Sequence, residues 1–224
     1  MNYTTINNVL LHTDNDMVVK DANGSNFEPE TFACIKKLLA NSNYTNNKCA
    51  VDVGAYTGVY SLNWALHYSF TNVYAFEPNP IVYERLTQNV TLNNLQHNSK
   101  IKCINKAVGN ITGEVALYSK KFKMTSASTM HQSVHTPNVT LVDIVKLDEF
   151  NLNAPVGAIK IDVEGHEKEV LLGASETIKK DKPVLIIETL SKQCEQEVTD
   201  MLATLGYSPQ NICYGLDNRN LIAY

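Results

Sequence analysis

The chain has 224 residues, 44% of them hydrophobic and 19% charged, with a formal net charge of −4. That length buries a full core without disulfide support, and the ordinary apolar content with so small a net charge excludes a disordered, collagen-like or coiled-coil chain. No stretch approaches the roughly 18–20 apolar residues of a membrane span, and a pI near 5.9 argues against a broad basic surface for nucleic acid.

Met1-Asn2-Tyr3-Thr4-Thr5 has neither the basic start nor the roughly 7–15-residue apolar run of a signal peptide. The expectation is a soluble, cytoplasmic protein, in the host cytoplasm if the Asn- and Lys-rich composition reflects a virus. The cysteines at 34, 49, 103, 194 and 213 are odd in number and lack CxxC spacing, so reduced thiols are expected rather than bridges or zinc ligands. Lys120-Lys121-Phe122-Lys123 is a short basic cluster that reads as a solvated loop or strand end.

Residues 4–20 alternate weakly around Asp14-Asn15-Asp16, which predicts a hairpin or two short strands there. Ala22-Asn23-Gly24-Ser25 is a turn, and Pro29 opens a helix that continues through Phe32, Ile35, Leu38 and Leu39. Residues 1–45 are taken as an N-terminal extension and 46–224 as one domain. From Lys48 onward strands alternate with helices: strands at 49–53, 72–76 and 101–104, helices at 58–69 and 80–93, which implies a parallel three-layer α/β sheet. Residues 111–150 break this rhythm with strands at 114–118 and 139–143 around a Ser/Thr-rich segment, Thr125 to Thr136. Alternation resumes with a strand at 156–161, a helix over 166–180 broken at Gly173, a strand at 184–187 and a helix at 191–205. Strands at 207–214 and 220–224 close the chain.

Val51-Asp52-Val53-Gly54-Ala55-Tyr56-Thr57-Gly58 carries a strand into a turn with two glycines and then a helix. Such glycines permit a tight turn and close backbone approach to a ligand at a helix N-terminus, although a plain tight turn has the same look. The dinucleotide fingerprint GxGxxG is absent, because Tyr56 stands where its middle glycine belongs. Glu77 ends the next strand, where an acid can accept hydrogen bonds from both hydroxyls of a ribose; the alternative is a solvated helix start. Asp162, Glu164, His166 and Glu167 fall within six residues at the end of another strand, and Glu188 ends the strand after it. Open α/β sheets place ligands at such strand ends. A charged helix start accounts for the glutamates but not for Asp162.

The DxGxxxG turn and Phe76-Glu77-Pro78-Asn79 resemble the class I S-adenosylmethionine-dependent methyltransferases. Lys106-Ala107-Val108-Gly109-Asn110, the loop Thr125-Ser126-Ala127-Ser128, Leu147-Asp148, Ile159-Lys160-Ile161-Asp162-Val163-Glu164-Gly165-His166-Glu167, Leu171-Leu172-Gly173-Ala174 and Pro183-Val184-Leu185-Ile186-Ile187-Glu188 narrow the resemblance to the FkbM-type family, over roughly 48–190. The resemblance implies a doubly wound, mostly parallel seven-stranded sheet of Rossmann type. It also implies S-adenosylmethionine as cofactor and O-methylation of a sugar, glycan or related small molecule. Asp52 and Gly54 would then lie near the methionine end of the cofactor, Glu77 at the ribose diol, and Asn79 and Ala107 near the adenine. Tyr56 and Gly58 complete the turn, and Asp162 borders it.

An alcohol holds its proton tightly, so methyl transfer to it needs a general base, a Lewis-acid metal, or close in-line positioning. Asp162, Glu164 and His166 are the candidates for the base, His166 being best matched in pKa. Asp162 and Glu188 are the candidates for holding Mg²⁺ or Mn²⁺. The reading leans to Asp162 with His166 and no metal. His131 and His135 read as loop histidines, Ser126, Ser128 and Thr129 as acceptor-contacting loop residues, and Trp64 as core. An N-methyltransferase acting on nucleobases or protein, an NAD-dependent oxidoreductase and a non-catalytic scaffold are the competing classes; membrane and nucleic acid are not expected partners, and nothing indicates the oligomeric state.

Overall fold

The computed structural model describes residues 3–14, 16–22, 25–93, 95, 100–119, 128–129, 138–214 and 220–224. Strands β1 (Tyr3–Ile6) and β2 (Val9–His12) pair antiparallel. Their turn is Asn7-Asn8, both at positive φ (48° and 63°), a conformation asparagine tolerates and one that matches the right-handed strand twist. The hairpin expected within residues 4–20 is thus present, and beyond it comes a short helix, α1 (Met17–Ala22). Helix α2 (Pro29–Leu39) starts on its proline as expected.

The expected alternation follows: β3 (Cys49–Val53), α3 (Val59–His67), β4 (Val73–Phe76), α4 (Pro80–Leu92) and β5 (Ile101–Ile104). Strands β6 (Ala107–Val108), β7 (Gly113–Ser119), β8 (Ser128–Thr129) and β9 (Asn138–Val145) make a separate four-stranded sheet in the order β6-β9-β7-β8. Sequence reading located β7 and β9 but not that they form their own sheet. The chain then returns through β10 (Val156–Ile161), α5 (Glu167–Gly173), α6 (Ser175–Asp181), β11 (Val184–Glu188), α7 (Lys192–Thr204), β12 (Ile212–Tyr214) and β13 (Asn220–Ala223). The strand expected from 207 shortens to 212–214, because Pro209 opens a 3-10 turn through Asn211.

The main sheet has seven strands in the order β12-β13-β11-β10-β3-β4-β5. The five from β11 to β5 are parallel, and β13 runs antiparallel to both of its neighbours. The chain steps outward from β3 to β5, then crosses back to β10 beside β3. That reversal opens a crevice at the carboxyl ends of β3 and β10, where such sheets bind ligands. Side chains alternate across the sheet. Val51, Val53, Ile159 and Ile161 pack with Val170, Leu171 and Leu202 on one face; Ala50 and Ala158 pack with Leu62, Trp64 and Ile35 on the other. Asp52 and Lys160 fall opposite one another in the β3–β10 register, both on the second face. Trp64 is fully buried between the rings of Tyr60 and Phe70.

Residues 1–45 share that second core. Ile6, Val9 and Leu11 are buried in it, and asparagines on the helices receive the hairpin backbone. Asn93 accepts from the Leu10 amide at 2.9 Å and donates to its carbonyl at 2.7 Å, while Asn89 accepts from the His12 amide at 3.0 Å. At the other end, the Asn7 side chain donates to the Phe27 carbonyl at 2.8 Å and accepts from its amide at 2.9 Å. The five cysteines are free thiols, with the Cys34 and Cys213 sulfurs 3.7 Å apart. Among the described residues no helix is long and apolar enough to cross a membrane.

Candidate active site

At the crevice a cavity of about 850 Å³ opens, within the roughly 300–1,000 Å³ usual for small-molecule sites. Its first wall is the turn after β3. Gly54 (φ +77°) lines it, and the amides of Gly54 and Ala55 both donate to the Phe76 carbonyl, at 3.0 and 2.9 Å. A Cβ on Gly54 would stand 1.8 Å from the Asp162 carbonyl oxygen. The glycine is thus demanded by the neighbouring strand's exit, a steric reason beside the tight turn and the ligand approach that the sequence left open. Gly58 (φ +96°) heads α3 against Leu86 and does not line the cavity.

Asp52 reaches that cavity from a buried position. It accepts hydrogen bonds from the amide and hydroxyl of Ser61, which fixes the first turn of α3. Burial pushes its carboxyl up to about 6 against the pull of Ser61 and Lys160. Glu77, at the end of β4, is 6% exposed. One of its oxygens accepts from the Tyr56 amide at 3.0 Å and the other from the Asn79 amide at 2.9 Å. Burial raises it to about 7, and those two amides act in the opposite direction. Each oxygen retains a second lone pair, so the carboxylate can still accept hydroxyl donors. Tyr56 itself holds a left-handed backbone, φ 50°, that aims its amide at Glu77. The Asn79 side chain caps α4, accepting from the Ile81 amide at 3.0 Å, and is not on the cavity wall. Ala107 does line the cavity, together with Pro78, Val108 and Leu117.

Asp162 and Glu188, the expected neighbours at the ends of β10 and β11, are brought together. Burial and a hydrogen bond to Asp162 raise the Glu188 carboxyl well above the usual carboxylate range. Between them and Asp52 lies a residue sequence reading left without a role. Lys160 is 1% exposed, with its Nζ 3.5 Å from an Asp162 oxygen, 3.1 Å from the Asn220 side-chain oxygen and 5.3 Å above the Tyr60 ring. Burial disfavours its charge, but the surrounding carboxylates outweigh burial and hold the ammonium protonated. The signal was legible as a lysine flanked by isoleucines in an otherwise apolar strand. Glu28 was missed as well: it lines the cavity and accepts a hydrogen bond from the Tyr60 hydroxyl.

His166 is not on the cavity wall. Glu164 and Gly165 take left-handed backbones, φ 55° and 101°, and this reversal leaves Glu164 at the cavity. It swings the His166 ring against Gly109, where an added Cβ would lie 3.0 Å from Nε2, and sets Nδ1 3.5 Å from Glu169. Glu167 is buried, bonded to the Gly165 amide and the Cys194 thiol. Asp162 and Glu188, the candidates for holding Mg²⁺ or Mn²⁺, face each other with the Lys160 ammonium 3.5 Å from an Asp162 oxygen. Among the described residues no three His, Cys, Asp or Glu side chains gather for a metal. Ser128 and Thr129 form β8 against β7; Ser126, His131, His135 and Lys120 to Lys123 lie outside the described residues.

Three carboxyls whose pKa values are raised by burial, Asp52, Glu77 and Glu188, give a pH prediction. Each takes up a proton more readily in the folded chain than in the unfolded one, so stability is fully present below the unfolded values near 4 and is lost as pH rises through the folded values. The ligand-free protein should therefore melt at a higher temperature at pH 5.5 than at pH 8.5, by about 3–8 °C. A scan in which Tm climbs with pH across that window contradicts the assignment.

A model of the Methyltransferase FkbM domain matches residues 52–209. The hexuronic acid methyltransferase AglP of Haloferax volcanii is 26% identical over 155 residues, covering 68% of this chain and 60% of AglP. The chain spans about three fifths of the length of the curated relatives it matches. The crystal structure of an FkbM methyltransferase from Methylobacillus flagellatus superposes with a TM-score of 0.58 at 20% identity, over 80% of this chain and 44% of that one. Magnesium protoporphyrin IX methyltransferase from Synechocystis, solved with bound S-adenosylmethionine, gives 0.54 at 13% identity, over 93% and 82%. Both likenesses are of fold.

Proposed function

Because the chain belongs to the FkbM methyltransferase family, we propose that it uses S-adenosylmethionine to methylate a hydroxyl of a sugar or related small molecule. The observation that carries this is Glu77: a buried carboxylate at the end of β4, held by two backbone amides, on the wall of a ligand-sized cavity. In this reading Glu77 receives the ribose hydroxyls, Pro78, Ala107 and Val108 flank the adenine, and Gly54 to Tyr56 border the methionine end. The bound cofactor supplies an electrophilic methyl group on a sulfonium. The relative named a hexuronic acid methyltransferase supports a sugar-type acceptor.

The protein's own part is to take the acceptor's proton. Asp162 is the base in this reading, with Glu188 beside it as the protonated partner of the pair. Lys160 stands 3.5 Å from an oxygen of the Asp162 carboxylate. The hydroxyl proton moves to an Asp162 oxygen while the hydroxyl oxygen gains the methyl group. This replaces His166, which lies off the wall. Residues 1–45 are an extension that closes part of the cavity.

The test is S-adenosylhomocysteine binding by calorimetry, followed by methyl transfer to a panel of sugars with wild type and Asp162→Asn. Micromolar binding and a kcat lowered about 100-fold or more by the substitution are expected. Binding without transfer to any hydroxyl acceptor overturns the O-methylation reading, and absent binding overturns the cofactor assignment.

A further inference from the structure

The family model begins at residue 52, yet part of the cavity wall comes from well before it: Val18, Asp21, Phe27, Glu28, Pro29 and Glu30. The wall is therefore built from two stretches of different standing. The one from residue 52 onward is matched by the family model; the other precedes that match.

Glu28 is the residue in that segment with the most specific placement. It is the residue before α2, where a Ser, Asp or Asn would normally cap the helix, but its side chain makes no capping bond. Its backbone is left-handed, φ 44° and ψ 55°, a conformation that costs a glutamate about 1–2 kcal/mol. What the conformation achieves is to send the carboxylate across to Tyr60. There Oε2 accepts the Tyr60 hydroxyl, and Phe32, one turn along α2, stacks on the same ring at 4.6 Å between centroids. Oε1 makes no hydrogen bond among the described residues. The Phe27 backbone just before it is clamped at both its amide and its carbonyl by Asn7, so the approach of Glu28 is fixed from the hairpin side too. The charge on Glu28 acts on Lys160 and Glu188, the groups that attend the proton-accepting carboxylate.

We infer that Glu28 selects the acceptor: its outward oxygen takes a hydrogen bond from a hydroxyl neighbouring the reacting one, and it disfavours an acceptor carrying a carboxylate there. The inference rests on the cavity being the methyl-transfer site. An ionised carboxylate accepts hydrogen bonds and donates none, so a sugar diol satisfies it and a uronate repels it. The two cations on the described wall are already engaged, Lys106 with Asp143 at 2.6 Å and Lys160 with Asp162. The acceptor class is thus a neutral polyhydroxyl sugar, different in charge from what the name of the hexuronic acid methyltransferase relative describes.

The experiment uses the full chain saturated with S-adenosylhomocysteine, titrated with methyl hexosides and with the matching methyl hexuronosides, and followed by saturation-transfer NMR. Wild type is expected to bind at least one neutral hexoside and to bind its uronate counterpart about tenfold or more weakly. Glu28→Gln, nearly isosteric and still able to accept from Tyr60, should narrow that ratio to within about threefold, whereas Glu28→Asp should keep the sign of the preference. Unchanged selectivity in Glu28→Gln, a wild-type preference for the uronate, or no binding by any sugar while S-adenosylhomocysteine binds each overturns the inference. Failure of wild type to bind S-adenosylhomocysteine is a failure of the underlying site reading instead. A Glu28→Gln protein that loses S-adenosylhomocysteine affinity places Glu28 on the cofactor side and also overturns it.

Discussion

Glu77→Ala is expected to weaken S-adenosylhomocysteine binding by about 100-fold or more, equivalent to about 2.7 kcal/mol. Two effects combine. The proposed ribose hydroxyls lose a charged acceptor, each such bond contributing about 1.5–3 kcal/mol. The amides of Tyr56 and Asn79 also lose their partner, so the turn that holds Tyr56 at φ 50° is no longer pinned to β4. The pH dependence separates the two. Burial has raised Glu77 to about 7, and hydroxyl donors bind its ionised form better. Wild-type affinity should therefore fall as pH drops through 7, while Glu77→Gln, which cannot ionise, should be weak and flat from pH 5.5 to 8.5. Calorimetry at four pH values across that range suffices. Wild-type affinity in the alanine variant, or an equal pH slope in the glutamine variant, would remove Glu77 from the ribose.

Gly54→Ala is expected to cost about 3–5 kcal/mol of stability, a large share of the roughly 5–15 kcal/mol that holds a domain folded. The new methyl group would lie 1.8 Å from the Asp162 carbonyl oxygen, and that atom is backbone at the end of a central strand whose next amide bond, Asp162 to the Val53 carbonyl at 3.0 Å, ties the same two strands together. Neither strand can retreat without breaking the pairing, so overpacking adds to the left-handed backbone cost at φ +77°. Gly206→Ala is the informative contrast. Gly206 also has a left-handed backbone, φ +83°, but an added Cβ meets only the end of the flexible Lys182 side chain. That variant should lose only about 1–2 kcal/mol. Urea unfolding of the two variants beside wild type measures both, and equal losses would mean that the β3–β10 contact is not what requires glycine at position 54.

The parts of the fold that repeat a period were legible. Apolar runs at 49–53, 73–76, 156–161 and 184–188 became four parallel strands of the sheet, and the acids at their ends came together at one crevice. What escaped was set by single residues acting out of period. A polar pair, Asn7-Asn8, makes the hairpin turn through left-handed backbones, and no hydrophobic pattern marks it. Strand β6 is two residues long, too short for a pattern to register, and with it went the separate sheet. Asn79, just before Pro80, caps α4 with its side chain, a local role that no period marks. His166 was drawn into the site by proximity in sequence to Asp162; the left-handed Glu164-Gly165 turn, local and non-periodic, carries it away. Lys160 was visible as a lysine in an apolar strand, but its role depends on Asp52, Asp162 and Asn220, which only the tertiary fold brings together.

The N-terminal hairpin has a consequence for how the chain is made. Its docking partners, Asn89 and Asn93, lie 77 and 83 residues after the hairpin residues they hold. At about 5–20 residues per second of synthesis, roughly 4–16 s separate the two. During that interval Ile6, Val9 and Leu11, all buried in the finished protein, lack the α4 side of their cover, and an isolated two-stranded hairpin is marginal in water. The hairpin is thus made well before α4 and completes its burial only once α4 is in place. A ribosome stalled before codon 89 would hold out a chain whose hairpin is incompletely covered, and that stage is when a holding chaperone would find its binding site.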